Sequence, residues 1–133
     1  MQAVESGIDL TLKAGILNIR NKSIKQSEII IMAIRDRLNS FGFKLQSSEN
    51  SLRRGSHISI SHPNAWQICR ALQKGNETAP KIIPDFRPPN FIRLGINPLY
   101  ISFEDLWWVI YQLQYIIESK SYVKFKKDKP KVP

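Results

Sequence analysis

His57-Ile58-Ser59-Ile60-Ser61-His62-Pro63-Asn64-Ala65-Trp66-Gln67-Ile68-Cys69-Arg70-Ala71-Leu72 passes from one periodicity to another. Its first five residues alternate polar and apolar, the mark of a strand with one face buried. Pro63 suits the first turn of a helix, where its missing N–H costs nothing. Ala65, Ile68, Cys69 and Leu72 then recur on one helical side. A strand with one apolar face, followed at once by a helix with one apolar side, predicts an α+β fold: helices covering one face of a small, mostly antiparallel sheet.

The flanks extend this pattern. Residues 4–41 read as helix. Val4, Ile8 and Leu12 recur every four residues, and Ile16, Ile19, Ser23, Ser27, Ile30, Ile34, Leu38 and Phe41 follow three-and-four spacing. Gly15 between them marks a bend or break, and Gly42 is suited to cap the helix C-terminus. A short strand is expected at 43–46, then a polar loop at 47–55. After the central helix, Gly75 is a stop signal and 75–80 is loop. Pro88-Pro89 rules out a regular central strand there. Residues 91–96 read as the next strand, and Ser102 as the N-cap of a last helix whose first turn carries Glu104 and Asp105. Leu106, Val109, Ile110, Leu113, Ile116 and Ile117 form its stripe. Trp107, Tyr111 and Tyr115 widen it, which predicts packing on more than one neighbour.

With 133 residues and 42% apolar content, the chain suffices for one globular domain. Its apolar runs are too short to cross a bilayer, and Met1-Gln2-Ala3-Val4-Glu5 does not look like a secretory signal. A cytoplasmic protein is expected. Cys69, the single cysteine, lies in an apolar helical stripe and is expected to be buried and inert. The net charge of +9 invites a nucleic-acid reading, but six lysines against one acid from residue 120 onward supply +5 of it. Residues 120–133 therefore read as a basic, flexible tail, and nucleic acid is disfavoured as a partner.

Motifs for most chemistries are missing. The sequence has no CxxC, HxxxH, G-x-S-x-G or phosphate-binding glycine loop. His57 and His62, five residues apart, point to opposite faces of one strand. One residue stands out in Phe91-Ile92-Arg93-Leu94-Gly95-Ile96. Ile92, Leu94 and Ile96 share one face, and Arg93 shares the other with Phe91 and Gly95. A mid-strand arginine must meet a partner or water. Gly95 leaves room beside it for a ligand, and guanidinium grips carboxylates bidentately. Pattern alone nevertheless favours an ordinary salt bridge or a solvent-facing edge arginine.

Two segments resemble the kynureninase family. The first is Arg54-Gly55-Ser56 and the stretch quoted above. The second is Ile83-Pro84-Asp85-Phe86-Arg87-Pro88-Pro89-Asn90-Phe91-Ile92-Arg93-Leu94-Gly95-Ile96-Asn97-Pro98-Leu99-Tyr100-Ile101-Ser102-Phe103-Glu104-Asp105-Leu106-Trp107, which is the more specific. Kynureninases are homodimeric fold-type-I enzymes dependent on pyridoxal phosphate (PLP), and they hydrolyse L-kynurenine to anthranilate and L-alanine. The resemblance implies the small C-terminal domain over residues 1–119: a helical inter-domain region at 1–42 and an α/β sandwich at 43–119. It implies that Arg93 binds the substrate α-carboxylate, with Asp85, Phe86, Arg87, Asn97 and Tyr100 shaping the mouth of the site. For Arg87 a loop salt bridge is an equal alternative.

In that family a large domain supplies the PLP lysine and most of the pocket. No lysine of this chain stands in such a motif, and the loop at 74–81 is longer than the family's usual one. The chain alone is therefore expected to bind no PLP and to be inactive. It reads as an excised piece, a proteolytic product or the product of a truncated gene, whose partner is the missing large domain. Two other readings compete: a standalone interaction module that kept the fold, and a basic nucleic-acid binder acting through the lysine tail.

Overall fold

Glycine at position 15 splits the N-terminal helical run, because its backbone sits at φ 76°, where a side chain is strained. In the computed structural model, which describes residues 2–75 and 79–126, α1 spans Gln2–Ala14 and α2 Ile16–Ala33. A π-turn at Ile34–Leu38 and a 3-10 turn at Asn39–Phe41 extend α2 until Gly42, at φ 89°, ends it. Then follow β1 (Lys44–Leu45), β2 (His57–Ser61), α3 (Ala65–Lys74), β3 (Asp85–Arg87), β4 (Phe91–Gly95) and α4 (Phe103–Glu118). Ser102 caps α4: its hydroxyl accepts the Asp105 N–H at 3.1 Å, and the Asp105 carboxylate accepts the Ser102 N–H at 2.7 Å.

The α+β expectation holds, with local corrections. The strand expected at 43–46 shrinks to Lys44–Leu45, because Phe43 drops fully into the core. Pro63 lies just outside α3 rather than in its first turn. The chain turns first, with the Ala65 N–H on the His62 carbonyl at 3.0 Å. The segment of Asp85, Phe86 and Arg87, expected only to shape the mouth of the site, is an edge strand paired with β4. The two prolines sit in the turn between β3 and β4, where no ladder donor is lost.

The sheet is antiparallel throughout, in the order β1-β2-β4-β3. Ile58 pairs with Leu94, and Ile60 with Ile92, which also faces Phe86. Ile58, Ile60, Ile92 and Leu94 are buried in one core with Ile30, Ile34 and Leu38, with Ile68, Cys69 and Leu72 of α3, and with Leu106, Ile110, Leu113 and Ile116 of α4. Burial stabilises by about 1.5–3 kcal/mol for each large apolar side chain. The alternate row, Ser59, Arg93 and Asp85, lies on the opposite face.

As expected, α4 packs on more than one neighbour, against both α2 and α3, while Trp107, Tyr111 and Tyr115 stay half-exposed. These three rings form a ladder along α4, with stacked centroids 5.3 and 6.2 Å apart. Val4, Ile8, Leu12 and Ile16 are likewise exposed.

Buried polar side chains tie the loops down. Gln26 donates to the Ile101 carbonyl at 2.7 Å, Gln67 to that of Phe125 at 2.8 Å, and Gln112 to that of Pro80. Arg54, half of the only basic doublet in the body of the chain, is inside. Its side chain is 3% exposed, donating to Ser27 Oγ at 3.0 Å and to the Glu49 carbonyl, with Glu28 3.7 Å away. Ser23 reaches Ser56 at 2.9 Å. These partners explain the two buried serines on the stripe of α2. The flexible-tail expectation fails over its first residues: Ser121–Lys124 forms a 3-10 turn, and Tyr122 and Phe125 pack on the core. Residues 127–133, and 76–78 of the long loop, lie outside the described residues.

Two predictions follow from the interior. Burial pushes the Cys69 thiol up to about 12, with the Asp85 charge adding to it. Cys69 should therefore resist a thiol reagent in the native chain at mildly alkaline pH and react in denaturant; fast native labelling would place it elsewhere. His62 accepts the Asn64 N–H on Nδ1 at 3.0 Å and shares Nε2 with the Phe41 carbonyl at 3.2 Å. Burial lowers its pKa from 6.5, against the Phe41 bond, which raises it. The unfolded chain thus takes up the proton first. The His62 contribution is complete above the unfolded value and is lost as pH falls through the lower folded one. The stability lead of the wild type over His62→Gln, measured by urea unfolding, should shrink between about pH 7.5 and about pH 5. An unchanged lead would mean that His62 does not titrate in this way.

Candidate functional site

Arg93 stands in mid-β4, and the register that buries Ile92 and Leu94 turns it outward. Its cross-strand neighbours are Ser59 on one side and Asp85 on the other. Asp85 Oδ2 accepts from Arg93 Nη2 at 2.5 Å and from Arg87 Nε at 2.9 Å, so one carboxylate oxygen bridges two guanidinium groups. The Arg93 and Asp85 side chains are 37% and 45% exposed. A pair this open is screened by water, so it contributes on the order of 0–1 kcal/mol.

The side away from Asp85 is open at Gly95 among the described residues. A side chain added at Gly95 would meet nothing within 4 Å. Ser59 is short, and His57, opposite Gly95, is exposed. This face can therefore present a fixed cation, with a hydroxyl and an imidazole nearby, to an incoming anion. Next to it, a cavity of about 380 Å³ is lined by Gly95, Pro84, Ile83, Tyr100 and Trp108, with Lys81 at its wall.

Of the residues expected around the site, Asp85 and Arg87 join Arg93. Phe86 does not: strand alternation turns it to the inner face, where its ring meets Trp66 edge-on at 5.3 Å. Asn97 builds a turn instead of contacting Arg93. Its Oδ1 accepts the Leu99 N–H at 3.0 Å, and its carbonyl accepts the Ile101 N–H at 2.9 Å. Tyr100, 74% exposed, borders the cavity rather than the guanidinium. Ser59 and His57 were overlooked. Their alternation placed them on the polar face, but only the β2–β4 pairing sets them beside Arg93.

Lys44 and Lys81 do not suit attachment of PLP: both are exposed, whereas a cofactor-bearing lysine needs a site that excludes water. Lys44 is also on β1, the edge opposite β3. No group of metal-binding side chains occurs among the described residues. Nor is any described helix long and apolar enough to cross a membrane.

Residues 19–113 match the family model "Kynureninase C-terminal domain". The chain is 36% identical over 122 residues to the kynureninase of Geobacillus thermodenitrificans, covering 92% of this chain and 27% of that protein. It is 38% identical over 117 residues to that of Shouchella clausii, covering 88% and 26%, and 32% identical over 119 residues to that of Bacillus anthracis, covering 90% and 27%. The chain thus spans about a quarter of the length of these relatives. It belongs to the kynureninase C-terminal domain family.

Proposed function

We propose that this chain is the substrate-clamping C-terminal domain of a PLP-dependent kynureninase, in which Arg93 binds the α-carboxylate of L-kynurenine. The overall reaction adds water across the bond between the side-chain carbonyl carbon and the β-carbon, giving anthranilate and L-alanine. The observation that carries this reading is Arg93, held outward in mid-sheet with an unfilled space beside it at Gly95. Fixing the carboxylate restricts the amino acid to one orientation, which removes much of the entropic part of the barrier. The cofactor and the bulk of the pocket belong to a separate large domain, and the parent enzyme is a cytoplasmic homodimer. Without those parts the chain is inactive.

The exposed apolar residues of the N-terminal helices, Val4, Ile8, Leu12, Ile16 and Leu17, support a docking role for that end of the domain. They fit the large domain as partner. They would equally serve the second reading, a standalone interaction module that has kept the fold.

The test is an enzyme in which this chain replaces the matching 27% of the Geobacillus thermodenitrificans kynureninase. Arg93→Ala in that enzyme should raise KM for L-kynurenine by roughly 30-fold or more, since removing one partner of a charge pair costs about 2–5 kcal/mol. The PLP absorbance should not change. Arg93→Lys should fall between, because an ammonium keeps the charge but not the bidentate fork. Unchanged substrate affinity in Arg93→Ala would remove the carboxylate assignment.

A further inference from the structure

The Arg87–Asp85–Arg93 row contains more than an arginine waiting for a ligand. A guanidinium offers five N–H donors, and Asp85 engages Arg93 through one oxygen on Nη2. That contact comes from the β3 side. On the opposite side stands Ser59, and a Cβ at the adjacent Gly95 would meet no described residue within 4 Å. A second carboxylate can thus reach Arg93 without displacing Asp85. Arg87, on the same face of β3, holds the same Asp85 oxygen and restrains the carboxylate in turn.

An ion pair this exposed does little to hold the fold together. Its effect is geometric: it confines a long, flexible side chain to one orientation before the ligand arrives, which lowers the entropic cost of binding. We infer that Asp85 is a positioning residue for Arg93, aiming the guanidinium into the space beside Ser59 and Gly95 rather than competing with the ligand for it. The inference rests on the reading of Arg93 as the carboxylate clamp.

Substitution at the half-exposed Asp85 on an edge strand leaves the core untouched. In the chimeric enzyme described above, Asp85→Ala should raise KM for L-kynurenine by about three- to tenfold, the scale of immobilising one long side chain on binding. It should leave kcat nearly unchanged, and Asp85→Glu should restore part of the loss. In an Arg93→Ala background, Asp85→Ala should add nothing, because it acts only through Arg93.

A lower KM in Asp85→Ala would show a competitor and overturn the inference, as would an unchanged KM while Arg93→Ala still weakens binding. An equal loss in both backgrounds would show a general structural role and overturn it too. If Arg93→Ala itself leaves affinity intact, the clamp reading fails first. A second measurement needs no chimera: NMR of the arginine side chains in the chain of 133 residues. Arg93 should show slowed guanidinium rotation that Asp85→Ala releases; equally fast rotation in both would contradict the inference.

Discussion

The pairing of β2 with β4 is the constraint on which the rest depends. Ile58 against Leu94 and Ile60 against Ile92 place four branched side chains on the face covered by the helices. Because side chains alternate strictly, a slip of one residue would turn Arg93 inward and those isoleucines outward. An unpaired guanidinium in that core would cost several kcal/mol, on the order of the whole stability of a domain this size. The hydrophobic core and the outward cation are therefore two consequences of a single register.

A sheet covered on one face needs its loops held by something other than a second layer. Here the means are polar. Three buried glutamines donate to carbonyls of Ile101, Phe125 and Pro80, and Arg54 gathers the loop after β1 onto α2 through Ser27 and the Glu49 carbonyl. These bonds offset most of the cost of burying the groups, although Gln26 Oε1 and Arg54 Nη2 are left without a hydrogen-bond partner among the described residues. The bonds of Gln26, Gln112 and Arg54 fix connections between elements of the fold, and that of Gln67 holds the segment after α4. The turn from Asn97 to Ile101, where β4 leaves the site, is held from α2 by Gln26 and by Lys22, whose Nζ reaches the Pro98 carbonyl at 2.7 Å. Rigidity at the border of the open face thus comes from side chains spaced along α2.

The main elements were legible because each carries a local physical signal: period-two alternation at His57–Ser61 and in β4, a glycine break at 15, a glycine stop at 42, and a Ser-x-x-Asp cap at 102. What escaped depends on long-range pairing. The strand Asp85–Arg87 is three residues between prolines, too short to show a period, so both the inward turn of Phe86 and the contact of Asp85 with Arg93 were hidden. Arg54 looked like loop because its partners lie on α2, far away in sequence. The aromatic residues of α4 announced a helix with more than one packing neighbour, which α2 and α3 supply, but not that their own rings would stay half-exposed. At the site, alternation alone faced Arg93 away from the core, whereas its neighbours Ser59, His57 and Asp85 come from two other strands.

The most direct test of this account is a crystal structure of the chimeric enzyme with a non-hydrolysable analogue of L-kynurenine bound. The account predicts the α-carboxylate on Arg93 at about 2.7–2.9 Å, entering from the side of Ser59 and Gly95, with Asp85 still on Nη2. An analogue bound with its carboxylate on another residue, and Arg93 paired with Asp85 alone, would contradict it.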